Sequence, residues 1–231
     1  MRNRDLIDYT LHLADNALII GHRNSEWCGH GPVLEQDIAI SNIALDLIGQ
    51  ARNFYQYAAT LSGNGVTEDT LAYLRDAIDF KNVLLVELPN GDWAQTILRQ
   101  FFFSTYQYFL YQQLQNSKNA LLAAIAEKAL KEVTYHVRWS SEWVIRLGDG
   151  TEESKKRLLH AIDEIWSYTG EMFLAASYEL QGVSEYFGVD LSEIQKHWDE
   201  KITSVFTEAT LPLPGDTWMQ SGGKEGRHTE Y

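Results

Sequence analysis

The chain has little of several features that mark particular classes of protein. Its 231 residues include one cysteine, Cys28, so no disulfide can form within it, and we expect a reducing, cytoplasmic location. No stretch is long and apolar enough to span a bilayer, and charges interrupt the first twenty residues where a signal peptide needs an apolar core. Basic residues are also scarce, because 19 Lys and Arg against 32 Asp and Glu leave a formal charge of −13. Such a chain repels phosphate backbones and anionic membranes, so we expect neither nucleic acid nor membrane as a partner.

What is present is typical of a folded helical protein. Hydrophobic residues make up 45% of the chain and charged residues 22%, which fits one large domain with a core. Apolar residues recur at helical spacing over most of the chain, and the most strand-like stretch, 80–89, has no pairing mate, so we interpret it as an ordered crossover. The sequence therefore predicts an all-α bundle over residues 1–211 and an irregular, Gly-rich tail over 212–231. The predicted helices span 5–21, 33–61, 67–77, 92–116, 121–147, 151–180 and 190–211.

The helix predicted over 121–147 carries a histidine in the middle of its apolar stripe. His136 falls among small and aliphatic residues that share one face, and Glu132 lies one turn before it on the flank. A histidine that points into a helical bundle is a candidate metal ligand, but an ordinary hydrogen-bonded core histidine occupies the same kind of position. The residues at the facing positions of the neighbouring helices distinguish these two interpretations.

A di-iron carboxylate bundle has a strict ligand requirement, which this sequence does not meet. Two helices each supply a Glu, and two others each supply Glu-x-x-His, so that residues three apart point at the metals together. Three residues before His136 stands Val133, and the inward pair at the same spacing on the second predicted helix is Leu47 and Gln50. No Asp, Glu or His lies between Trp93 and Asn116, so the sequence predicts no metal site in this chain.

Two acids lie beside these positions. Asp46 and Glu132 are each one residue out of phase with the inward stripe and point to its flank. Because buried polar groups need partners, we expect Asp46, Gln50, Glu132 and His136 to form a hydrogen-bonded cluster.

Four segments resemble one known family over essentially the full length of the chain. The family is that of the C subunits of the multicomponent phenylacetyl-CoA epoxidases. The matching segments are EWCGHGPVLEQDIAISNIALDLIGQARNF (26–54), VELPNGDWAQTILRQ (86–100), KEVTYH (131–136) and GGKEGRHTE (222–230).

The resemblance implies a ferritin-like bundle with additional C-terminal helices and no catalytic residue or cofactor of its own. The di-iron centre is expected in a homologous catalytic subunit, which this chain would pair with and support in aerobic phenylacetate degradation. Leu47, Gln50, Val133 and His136 match the positions at which the catalytic relative carries Glu-x-x-His, so they would form a vestigial site. The resemblance also implies a further C-terminal segment after Glu230, so the chain is expected to be truncated.

Two other functions stay open at this point. One is an active di-iron oxidase with an unconventional ligand set of Asp15, Asp46, Glu132 and His136. The other is a stand-alone helical binding protein whose bundle holds an apolar ligand.

The helix predicted over 92–116 is the expected partner surface. It is apolar on almost every side, so one of its faces would pack against a partner, with Phe103 and Leu110 as candidate outward sites. We expect the isolated chain to self-associate through this face until the catalytic subunit is offered.

Two loops carry weaker signals. Residues 222–228 resemble in composition a phosphate-binding loop for coenzyme A. They lack the strand before and the helix after that such loops have, so a flexible or partner-contacting loop is favoured. His22, Cys28 and His30 lie near one another on a Gly-rich loop, where packing is a better explanation than metal binding.

Overall fold

The computed structural model describes residues 2–215 and 217–231, and the regular secondary structure of these residues is helical, with no strand. This confirms the predicted all-α class. The described residues contain nine α-helices: α1 (Arg2–Ser25), α2 (Leu34–Ser62), α3 (Glu68–Tyr73), α4 (Leu84–Glu87), α5 (Trp93–Leu114), α6 (Ala120–Gly148), α7 (Glu152–Ile165), α8 (Ser177–Ser184) and α9 (Leu191–Glu208). None of them is long and apolar enough to cross a membrane.

Two antiparallel helix pairs form the central bundle. Helix α1 packs along α2, α5 packs along α6, and α2 also contacts α6, so the two pairs share one core. The segment between α2 and α5 is the single long crossover, an arrangement found in ferritin-like bundles. Helices α7 and α9 cover α5, and α8 lies against α1.

Helix α5 is buried on nearly all sides, which corrects the predicted partner surface. Phe103 and Leu110 are only 1% and 2% exposed, so neither of them points outward. Other helices of the same chain cover α5. Phe102, the neighbour of Phe103, packs against Trp198 and Phe206 of α9. The apolar side chains of α5 therefore pack against other helices of this chain and do not form a partner surface.

The predicted helix over 151–180 is interrupted. Helix α7 ends at Ile165, and two short 3-10 segments follow before α8 begins at Ser177. Gly170 lies at the break, where a Cβ atom would come within 2.6 Å of the Met219 side chain. The tail packs against the chain at this break, where the Gln220 N–H also donates to the Ser167 carbonyl oxygen.

Two other segments carry most of the remaining differences. Residues 80–89 form no strand, as expected, but they contain the short helix α4. The helix predicted over 67–77 is shorter, since α3 ends at Tyr73 and a 3-10 turn follows over Ala77–Asp79. Asp92 and Gln95 form a capping box at the start of α5.

Candidate functional site

Helices α2 and α6 meet through two polar pairs, here called the inner polar pairs. His136 of α6 is fully buried, and its Nε2 atom lies 3.0 Å from Oδ2 of Asp46 on α2. One turn away, Nε2 of Gln50 donates to Oε2 of Glu132 at 2.9 Å. The four residues that the sequence placed in one cluster therefore stand as two neighbouring pairs that bridge the same two helices.

Helix α5 adds amide and hydroxyl groups on the inner side of these pairs. The Tyr111 hydroxyl lies 3.5 Å from Oε1 of Gln50 and accepts from Nε2 of Gln107 at 3.3 Å. Oε1 of Gln107 and Nδ1 of His136 are buried without a protein partner. This layer of the bundle is thus polar but holds no carboxylate from α5.

The donors at this level do not fit a pair of iron ions. Leu47 and Val133, at which the resemblance implies the two glutamates of Glu-x-x-His, are both fully buried aliphatic side chains. The carboxylates that remain, Asp46 and Glu132, each already have a hydrogen-bonding partner in the facing helix. Two hard cations need several carboxylates to balance their charge. In the part of the chain that the structure describes, no group of three or more His, Cys, Asp or Glu side chains is arranged to hold a metal ion.

Asp15, the fourth member of the unconventional ligand set, lies in a different network. Its carboxylate pairs with the Arg75 guanidinium, accepts from the Tyr55 hydroxyl at 2.6 Å and accepts from the Lys81 backbone N–H at 2.8 Å. Asp15 is fully buried, and the structure does not bring it together with the inner polar pairs. The proposed set of four ligands is therefore not assembled.

His22, Cys28 and His30 do not form a ligand cluster. Nδ1 of His30 lies 3.1 Å from the backbone oxygen of Cys28, and the Cys28 side chain is exposed. His22 lies in the last turn of α1, where partial burial lowers its pKa.

Sequence reasoning missed a buried ionic cluster that fixes the C-terminal tail. Nζ of Lys224 donates to both carboxylate oxygens of Glu179, at 3.0 and 2.8 Å, and the two side chains are 5% and 3% exposed. Lys224 also donates to the carbonyl oxygens of Met172 and Leu174. Its ammonium group is fully engaged, so the 222–228 loop does not offer it to a phosphate.

Glu171 and Glu87 hold the backbone of the same tail. Glu171 accepts from the backbone N–H of Gly222 and from that of Leu84, both at 2.7 Å. Oε2 of Glu87 lies 2.8 Å from Nδ1 of His228, and its Oε1 accepts from the Thr229 N–H. The tail is thus joined to the crossover and to the segment after α7.

The pKa values of His228 and Glu87 are both shifted so that the charged form of each residue is favoured. The hydrogen bond that His228 donates to Glu87 is the main cause of the raised pKa of His228, against the opposing effect of burial. Burial tends to raise the pKa of Glu87, but hydrogen bonds from His228, Thr229 and Asn82 outweigh it, and the net pKa is lowered. Both shifts favour the pairing of a protonated His228 in the tail with an ionised Glu87 in the crossover.

A sequence signal for this cluster did exist. Glu87, Glu171 and Glu179 each stand as a single acid within an apolar run, Val-Glu-Leu, Gly-Glu-Met-Phe and Tyr-Glu-Leu. A glutamate in such a run is rarely buried unless it is paired. The pairing tail residues lie 45 or more positions away, so local pattern alone could not supply the partner.

One helix face stands out at the surface of the bundle. Leu34, Ile38 and Leu45 of α2 are 72%, 52% and 66% exposed, and Val33, just before the helix, is 52% exposed. Spacings of four and seven residues place the three helix residues on the side opposite the buried Leu47. The first half of α2 is therefore apolar on both its inner and its outer face.

Known proteins share this sequence over nearly its whole length. A family model described as phenylacetic acid catabolic protein matches residues 1–231. The chain is also 46% identical over 226 residues to the C subunit of the 1,2-phenylacetyl-CoA epoxidase of Escherichia coli (strain K12). That alignment covers 98% of this chain and 91% of the relative. These matches confirm the resemblance that the four sequence segments indicated, and the chain belongs to the phenylacetic acid catabolic protein family.

Proposed function

We propose that this chain is the C subunit of a phenylacetyl-CoA epoxidase and serves as its non-catalytic structural subunit. It pairs with a homologous subunit that carries the di-iron centre, and it has no metal or cofactor of its own. The observation that carries the proposal is the donor set between α2 and α6. Aliphatic Leu47 and Val133 stand at the matched ligand positions. The remaining carboxylates, Asp46 and Glu132, are hydrogen-bonded within the inner polar pairs.

The exposed face of α2 is the surface that supports pairing. Large apolar side chains lie in a row where a monomer would place polar ones, and such rows mark protein contacts. Leu34, Ile38 and Leu45 can form the apolar centre of an interface. This face replaces Phe103 and Leu110, which are buried within the chain.

Metal analysis tests the silent site. The chain, purified after growth with excess iron, is expected to contain well under one iron per molecule. About two irons per chain, with the spectrum of a bridged pair, would contradict the proposal and favour an active oxidase.

Co-purification with the iron-bearing subunit tests the partner surface. Leu45→Glu is expected to weaken the complex by at least tenfold, since it places a charge in an apolar contact centre. Leu180→Glu is the matched control, because Leu180 on α8 is 61% exposed but lies on another helix. If both variants co-purify at full strength, α2 is not the partner surface. If the unchanged chain does not co-purify at all, the proposed pairing itself is wrong.

A further inference from the structure

A groove outside the bundle core has the size and chemistry of a ligand site. It lies between α5, α6 and α9 and has a volume of about 440 Å³. Small-molecule sites in proteins commonly occupy roughly 300–1,000 Å³ and combine an apolar lining with a few well-placed polar groups. The groove is separate from the inner polar pairs, and nothing in the proposed function depends on it.

The lining of the groove is mainly apolar and partly aromatic. Phe109 of α5 stacks on His197 of α9, with ring centroids 5.4 Å apart and an interplanar angle of 28°. Val137 of α6 and Val205 of α9 line the walls beside it. A flat, apolar molecular body fits such a lining better than a polar one.

One hydroxyl at the groove is buried without a partner. Thr105 of α5 is fully buried, and its Oγ1 atom makes no hydrogen bond within the protein. Two other hydroxyl residues of the same lining differ, since Thr134 donates to the Leu130 carbonyl and Ser141 to the Val137 carbonyl, both at 2.6 Å. A buried hydroxyl normally has a partner, so Thr105 has an unused capacity to bind a polar atom.

The charges around the groove leave one cation available. Glu142 and Glu208 line it together with Arg138 and Lys201. Arg138 pairs with Glu142 at 4.0 Å, whereas Lys201 has no hydrogen-bonding or ionic partner among the residues that the structure describes. The unpaired Lys201 ammonium beside this apolar groove can form an ion pair with an anionic group of a ligand.

From these features we infer that the groove between α5, α6 and α9 binds a small arylcarboxylate that carries a second polar group on its ring. The carboxylate pairs with Lys201, the ring packs against Phe109 and Val205, and the second polar group exchanges a hydrogen bond with Thr105. The binding involves no covalent step.

Three matched probes separate these contacts. 3-(4-Hydroxyphenyl)propanoate offers both polar groups, 3-phenylpropanoate lacks the hydroxyl, and 4-ethylphenol lacks the carboxylate. Calorimetric titration of the full chain is expected to give the tightest binding for the first probe. Loss of either group is expected to weaken binding by a factor of about five to ten, the value of one modest hydrogen bond or ion pair.

Two variants assign each contact to a residue. Thr105→Val is expected to bring 3-(4-hydroxyphenyl)propanoate down to the affinity of 3-phenylpropanoate and to leave 3-phenylpropanoate unchanged. Lys201→Gln is expected to weaken both acids and to leave 4-ethylphenol unchanged. Thermal melting of each variant checks that the fold is retained.

A filled groove provides the decisive control. Ser204→Trp is expected to abolish binding of all three probes, because Ser204 is exposed and lines the groove, whereas Leu180→Trp, at an exposed site on α8, is expected to leave binding intact. The inference is overturned if no probe binds the unchanged chain at millimolar concentration, or if the variants weaken all probes equally. It is also overturned if Ser204→Trp breaks a protein complex while no probe binds, because the groove would then be a protein contact.

Discussion

The buried Lys224–Glu179 pair offers the sharpest test of how this chain is held together. Lys224→Met removes the ammonium group but keeps much of the side-chain length. Glu179 would then retain only the Ala176 N–H at 2.8 Å and the His12 imidazole at 3.5 Å. Burial lowers the pKa of His12, which disfavours a charged imidazole beside Glu179.

The size of the effect follows from burial. Both side chains are at most 5% exposed, so solvent cannot screen the carboxylate that is left behind. Removing one partner of a buried ion pair typically costs about 3–5 kcal/mol. We therefore expect Lys224→Met to lower the free energy of unfolding by that amount, as measured by urea denaturation followed by circular dichroism.

Two comparisons isolate the ionic effect. Lys131→Met removes a surface lysine that is 78% exposed and lies 4.0 Å from Glu127, so it should cost less than about 1 kcal/mol. Combining Lys224→Met with Glu179→Leu removes both charges and should recover most of the loss, since apolar replacement of a buried pair is often neutral. The reasoning is refuted if Lys224→Met costs no more than Lys131→Met, or if the double variant is no more stable than the single one.

Two further changes test the tail and the buried face of α5. The raised pKa of His228 means that its pairing with Glu87 stabilises the fold fully below the unfolded value of about 6.5, and that this stabilisation fades as the pH rises through the higher folded value. The difference in unfolding free energy between the unchanged chain and His228→Gln should therefore shrink with rising pH, and a constant difference across urea titrations at several pH values would contradict this. Phe103→Glu should destabilise the fold by more than about 3 kcal/mol, because the side chain is 1% exposed, whereas Leu45→Glu should change thermal stability little.

Helical periodicity predicted the two longest helices well because apolar residues recur at helical spacing along their whole length. The predicted ranges 33–61 and 121–147 agree with α2 and α6 to within one residue at each end. Helix α5 could not be oriented in the same way, since apolar residues occur on every side and periodicity does not reveal which neighbour covers which face. Its cover comes from α7 and α9, which follow much later in the chain.

The docking of the tail could not be predicted because its glycines suggested flexibility. A Cβ atom at Gly223 would lie 2.2 Å from the Asn82 carbonyl oxygen, and one at Gly226 would lie 2.1 Å from that of Ile78. Gly226 also has a φ of +79°, which favours glycine. These residues are glycine because the tail backbone approaches the crossover closely, a long-range contact that composition alone does not reveal.

The buried carboxylates of this chain share one feature, which supports the proposal that this bundle needs no iron of its own. A di-iron site neutralises several buried carboxylates with metal charge. Here each buried acid of the described residues has donors from the chain itself: Asp15 has Arg75, Glu179 has Lys224, Glu87 has His228, and Glu171 has backbone N–H groups. Because the tail supplies a donor to each of the last three, its docking performs part of the charge balance that metal performs in an iron-bearing bundle. The proposed role as a silent subunit therefore depends on the tail as much as on the aliphatic residues at the vestigial ligand positions.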